Sequence, residues 1–187
     1  MKLLIVRHGD PDYDIDSLTE KGWKEVEYLS QKLSKLDVKA FYVSPLGRAK
    51  DTAAPTLKKM GRTATECEWL KEFPCQIWRP DVKDKKIIAQ DWMADERFFQ
   101  YDHWFENEAM QEGHVKEEYD RVIEEFDKLL VKHGYERKGH YYKVNEENND
   151  TIIFFCHFGL ECVLLSHLLN ISPMVLWHGC VAAPSSV

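Results

Sequence analysis

The stretch Lys2-Leu-Leu-Ile-Val-Arg-His-Gly9 decides the fold together with Ala40-Phe-Tyr-Val-Ser-Pro-Leu-Gly-Arg-Ala49. Each begins with a short apolar run of strand length and then breaks into polar, turn-forming residues. Between them, Leu18-Thr-Glu-Lys-Gly-Trp23 opens an amphipathic helix reaching about Leu36, with Val26, Leu29, Leu33 and Leu36 on one face. Ser44-Pro45 is expected to cap the next helix, over 46–60, which stops at Gly61. A third strand is expected within 63–70. Strand, helix, strand, helix, strand is the signature of a largely parallel sheet covered by helices. The expected architecture is therefore a three-layer α/β/α sandwich around a mostly parallel central sheet.

Working outward, residues 73–107 break the pattern. They hold Trp78, Trp92, Phe98, Phe99, Tyr101, Trp104 and Phe105 without a clean period. They read as an aromatic-rich insertion of short helices and loops over the active-site edge of one domain spanning 1–187. Helix resumes over 108–133, where Val115, Tyr119, Val122, Phe126 and Leu129 form a stripe. Residues 135–144 suit a small hairpin, and 151–156 form the most strand-like run, ending in His157-Phe-Gly159. A helix to Asn170 follows, and Ser172-Pro173 starts another. Residues 182–187 read as the entry to one more strand, which suggests a trimmed C-terminus.

Composition narrows the function. The 187 residues carry 25 Lys and Arg against 32 Asp and Glu, a net charge of −7, so no broad basic face for nucleic acid is expected. No apolar run approaches the ~20 residues of a membrane span, and the N-terminus has no signal-peptide pattern. The 5 cysteines include no C-x-x-C pair and suit reduced thiols in a cytoplasmic protein better than a disulfide framework or a zinc site.

The chemistry-bearing residues sit where strands end. Arg7-His8-Gly9 follows the first strand and His157 a late one, so both histidines are placed to face one crevice at the carboxyl edge of the sheet. Arg48 falls in the first turn of the helix after strand two, near the positive end of its dipole. Two arginines, two histidines and a helix N-terminus together describe a dianion site, most simply for phosphate. Asp10, Asp12, Asp14 and Asp16 alternate, but Ile15 and Lys21 stand where a calcium loop needs Gly and Glu, so a solvated loop is expected. A variant of that reading puts Asp10 or Tyr13 at the pocket mouth, disfavouring highly anionic substrates.

The ordered set Arg7-His8-Gly9, Leu18-Thr19-Glu20-Lys21-Gly22, Ser44-Pro45-Leu46-x-Arg48-Ala49-x-x-Thr52-Ala53, Leu70-x-Glu72 and His157-x-Gly159 resembles the histidine phosphatase (phosphoglycerate mutase-like) superfamily. The match runs from residue 1 to about 72 and again over 151–187. It implies a metal-independent phosphomonoesterase without a cofactor, acting on a small-molecule phosphate monoester as a monomer or homodimer. His8 would be the nucleophile, Arg7, Arg48 and His157 would hold the phosphoryl oxygens beside Gly9, and Glu72 would be the general acid. Glu66 and Glu68 are rivals for that last role. Tyr13, Trp78 and Arg79 are the expected contacts to the leaving group. Phe158 replaces the small residue many relatives carry after this histidine, and Phe73-Pro74 replaces a glycine-bearing segment. A phosphoglycerate mutase-type phosphotransferase and a non-catalytic phosphate-binding module remain the alternatives.

Overall fold

The computed structural model describes residues Met1–Val187, which fall into two compact units. The first gathers Met1–Glu72, Glu147–Glu161 and Ala182–Val187; the second gathers Phe73–Glu146 and Cys162–Val181. The break after Glu72 falls where the aromatic insertion was expected to begin. The second unit runs past residue 107 and takes in a second segment, Cys162–Val181.

The first unit is built on a four-stranded parallel sheet. Its strands are β1 (Lys2–Arg7), β4 (Ala40–Val43), β5 (Thr65–Glu66) and β10 (Thr151–Cys156), in the order β1-β10-β4-β5. A two-residue ladder, β2 (Pro11–Asp12) with β3 (Ser17–Leu18), closes the loop after β1. The α/β class and the parallel sheet are as the sequence implied. The third strand is shorter than the expected 63–70, because the chain turns into a 3₁₀ segment at Glu68–Leu70.

Side-chain alternation on β10 explains its central place. Val6, Val43, Ile153 and Phe155 point to one face, where they pack with Leu29 and Leu33 of α1 (Glu20–Leu33) and Ala49 and Ala53 of α2 (Gly47–Met60). Ile152, Phe154 and Cys156 point to the other and are equally buried, with Trp69 edge-on to Phe154 at 5.9 Å. A parallel strand needs both faces covered, and each such buried side chain contributes about 1.5–3 kcal/mol.

Local chemistry sets the helix ends. Thr19 caps α1, its Oγ1 accepting the Gly22 N–H at 3.1 Å. Gly22 is needed there, because a Cβ would stand 2.3 Å from the Asp10 carbonyl oxygen. Leu36 lies beyond the end of α1 and is 40% exposed, so the apolar stripe stops at Leu33. Gly61 ends α2 in the left-handed region at φ 62°, as expected. The start of α2 differs from expectation: Leu46 holds the cap position without a side-chain bond of its own, and Ser44 Oγ, which accepts the Leu46 N–H, also meets His157. Residues 182–187 form no strand, although Arg7 N–H donates to the Ser186 carbonyl (3.2 Å) and Ser185 N–H to that of His8 (3.1 Å).

The second unit begins with the ladder β6 (Gln76–Ile77) with β7 (Ile87–Ile88) and two 3₁₀ turns, Ala89–Asp91 and Glu96–Phe99. The helix expected over 108–133 is divided into α3 (Glu108–Glu112) and α4 (Val115–Lys132), because His114 takes a left-handed φ of 52° between them. The hairpin β8 (Tyr135–Lys138) with β9 (Tyr141–Val144) is present. α5 (Phe158–Leu169) starts in the first unit and ends in the second, and α6 (Pro173–Gly179) is capped by Ser172 Oγ on Met174 N–H. The aromatics largely form a core: Trp104 meets Tyr119 and Trp177 edge-on at 5.3 and 6.4 Å, and Phe98 is buried against Trp92. Phe99 and Trp78 are exposed.

Candidate active site

The site lies wholly in the first unit, at the carboxyl ends of β1, β4 and β10. Because β1 and β10 run in parallel register, Arg7 opposite Cys156, the residues that follow each strand emerge side by side. This brings the rings of His8 and His157 to a centroid separation of 5.2 Å.

His8 is buried, and its Nδ1 lies 2.8 Å from the Gly9 carbonyl oxygen. A carbonyl only accepts, so Nδ1 carries the proton and Nε2 keeps its lone pair. Burial, reinforced by the positive charges of Arg48 and Arg7 and opposed by the Gly9 bond, pulls the His8 pKa down to about 4. The ring is therefore neutral across the physiological range. Gly9 N–H donates in turn to Thr52 Oγ1 at 2.9 Å, fixing the turn against α2.

Ser44 Oγ, expected to cap α2, bonds His157 Nε2 at 2.8 Å. The Leu46 N–H donates to the same oxygen at 3.3 Å, which leaves the hydroxyl proton available for Nε2. That arrangement puts the His157 ring proton on Nδ1, which is buried and has no partner. Burial first, then Arg48, His8 and Arg7, hold the His157 pKa far below its ordinary value.

Arg7 and Arg48 are each anchored at one end. Arg7 Nη1 donates to the Ala182 carbonyl, and its guanidinium lies 5.5 Å from the Phe158 ring. Phe158 thus backs the arginine, where sequence alone suggested only a narrower pocket. Arg48 Nη1 pairs with Asp16 Oδ1 at 2.5 Å, and its guanidinium lies 5.4 Å from the ring of Tyr13, itself exposed. The Nε atoms of both arginines are buried and unbonded.

Two carboxyl groups stand at the first turn of α5. Glu72 Oε1 accepts the Leu160 N–H at 3.1 Å, capping the helix from a distant loop. Glu161, the next residue along α5, has a buried Oε2 without a partner. Burial pushes its carboxyl up to about 7; Arg7 draws it down and Glu72 drives it up.

The structure thus gathers Arg7, His8, Gly9, Arg48 and His157, with Tyr13 beside Arg48. Trp78 and Arg79 belong to the second unit. There the Arg79 guanidinium is bonded to Asp81 and to the Asp91 carbonyl, and Lys86 lies 5.9 Å from the Trp78 ring. Asp10 binds Thr19 Oγ1 and Lys21. Sequence reasoning missed three residues. Asp16 was assigned to a solvated loop, yet it holds Arg48. Ser44 was assigned to a cap. Glu161 was passed over, although it lies one helical turn after His157.

Known proteins resemble this chain in family and in fold. The family described as "Histidine phosphatase superfamily (branch 1)" matches residues 3–187. A 2,3-bisphosphoglycerate-dependent phosphoglycerate mutase of Thermoplasma acidophilum is 37% identical over 60 residues, covering 27% of this chain and 30% of that enzyme. The match therefore spans less than a third of the mutase. Among solved structures, a mycobacterial glucosyl-3-phosphoglycerate phosphatase superposes with a TM-score of 0.59 at 18% identity, over 98% of this chain and 86% of its own. The phosphoserine phosphatase of Entamoeba histolytica, in complex with 3-phosphoglyceric acid, gives 0.60 at 17% identity over 98% and 86%. At such identities the likeness is one of fold.

Proposed function

The chain belongs to the histidine phosphatase superfamily, and from that premise we propose that it is a metal-independent phosphomonoesterase working through a phosphohistidine on His8. One observation carries the reading. Three buried, unbonded nitrogens, Arg7 Nε, Arg48 Nε and His157 Nδ1, belong to side chains gathered around His8, whose Nε2 lone pair is left free by the bond from Nδ1 to Gly9. Buried donors without acceptors are costly, and a phosphate dianion would satisfy them together.

In the proposed reaction, His8 Nε2 attacks phosphorus as the bond to the leaving alkoxide breaks. Glu72 gives its proton to that oxygen. The Nδ1–H bond to Gly9 stabilises the positive charge growing on the ring, and the arginines and His157 offset charge on the equatorial oxygens. In the second step water attacks phosphorus, Glu72 takes its proton, the P–N bond breaks and neutral His8 returns. On the leaving-group side, Tyr13 beside Arg48 is the proposed contact, with a small-molecule phosphate monoester as substrate and a monomer or homodimer as the working form. No helix is long and apolar enough to cross a membrane. A cytoplasmic site of action belongs to the same reading.

The test is hydrolysis of an aryl phosphate with chelator present, wild type against His8→Ala, with acid-free quench to trap phosphate on the histidine. Turnover that resists chelator and disappears in the variant is expected. Equal turnover in both proteins would sink the reading. The mutase match favours one alternative, return of the phosphoryl group to another hydroxyl. It predicts poor aryl phosphate hydrolysis and dependence on a bisphosphate primer.

A further inference from the structure

The N-terminus of α2, directly after β4 and beside Arg48, is where helix dipole and backbone N–H groups would favour an anion. In this protein a side chain already sits there. Asp16 Oδ2 accepts the Gly47 N–H at 2.6 Å while Oδ1 pairs with Arg48 at 2.5 Å. The loop is held tightly to the helix: Asp16 has a left-handed φ of 48°, and a Cβ on Gly47 would stand 2.0 Å from the Asp16 carbonyl oxygen. Partial burial works against ionisation of Asp16, but the Gly47 N–H and Arg48 prevail and hold the carboxyl below its ordinary range. With His8 and His157 neutral, the fixed cations of the site are Arg7 and Arg48, and Asp16 offsets one of them. A single phosphate dianion already outweighs what remains.

We propose that Asp16 determines specificity by charge, restricting the site to monoesters whose skeleton carries no second phosphate or carboxylate near the ester, such as polyol or sugar monophosphates. The inference rests on the phosphatase reading and narrows its substrate class. The Asp16 side chain is 41% exposed, so its charge faces solvent beside Arg48 rather than being sealed in the protein.

Glycerol 3-phosphate and 3-phosphoglycerate differ chiefly by a hydroxymethyl group against a carboxylate, which makes them the probe pair. Wild type should favour glycerol 3-phosphate in kcat/KM. Asp16→Asn keeps an acceptor for Gly47 and should narrow that preference by about fivefold or more, the scale of one like charge several ångströms away in partly wet surroundings. The wild-type preference should also narrow between about 0.01 and 1 M salt, as the Debye length falls from roughly 30 to 3 Å. Should Asp16→Asn fail to fold, Asp16→Ser carries the same comparison, and a wild-type preference that ignores salt overturns the inference by itself. An active wild type whose preference ignores both charge removal and salt overturns the inference alone, as does equal loss on both substrates in a folded variant. Wild type inert toward both, and toward aryl phosphate, would overturn the phosphatase reading and this inference with it.

Discussion

Replacing Glu161 with Gln should make the protein more stable in mild base and leave it unchanged in mild acid. Glu161 has a buried, unbonded Oε2, and its carboxyl is raised from 4.5 to about 7 by burial, with Arg7 opposing and Glu72 adding to the rise. A carboxyl with a raised folded-state pKa binds its proton more tightly folded than unfolded. Its contribution is complete below the unfolded value and is lost as pH rises through about 7. At about 1.36 kcal/mol per pH unit the shift would amount to roughly 3 kcal/mol, and partial solvent access reduces this to about 1–2 kcal/mol. Gln cannot ionise, so the variant should match wild type near about pH 4.5 and exceed it by that amount near about pH 8.5. For a chain of this size the gain is about 2–6 °C in Tm. The assay is thermal or urea unfolding of both proteins across this range, read as a difference so that the contributions of His8 and His157, common to both, cancel. A flat difference would refute the reasoning. So would a variant that loses stability in base, which would mean that Glu161 is ionised and paired with Arg7.

Two further outcomes follow from the same site. Gly47→Ala would place a Cβ 2.0 Å from the Asp16 carbonyl oxygen, so the loop must move; we expect about 1–3 kcal/mol of destabilisation and weaker inhibition by inorganic phosphate, and unchanged stability and inhibition would refute the close approach. His8 is held near 4 by burial and by Arg48 and Arg7 against the Gly9 bond, so kcat/KM should show no loss with a pKa near the ordinary ~6.5 of histidine. A limb there that shifts in Arg48→Gln would show that His8 titrates normally.

The frame of the site was readable because it depends on short-range pattern. A run of apolar residues long enough for one strand, ending in Arg7-His8-Gly9, fixes where His8 emerges. A second run ending in His157 fixes the same for its neighbour, and parallel pairing then sets them side by side. Thr19 and Gly22 act within one helical turn, and Gly61 stops α2 through its own backbone freedom. Errors came where a residue had two uses. Ser44 before Pro45 has the form of a helix cap, yet its hydroxyl meets His157, 113 positions away. Thr63-Ala-Thr is β-prone, yet the strand ends at Glu66 as Glu68–Leu70 coils into a 3₁₀ turn that buries Trp69 and Leu70.

The sequence by itself determined the strand-and-helix order and which histidines and arginines emerge at the strand ends, since periodicity and residue chemistry are properties of short segments. Tertiary structure alone decided the state of those groups. Asp16 binds Arg48 from 32 positions away, and burial sets the protonation of His8, His157 and Glu161. Ionisation depends on which groups surround a side chain and how far water is kept from it, and only the folded chain fixes either.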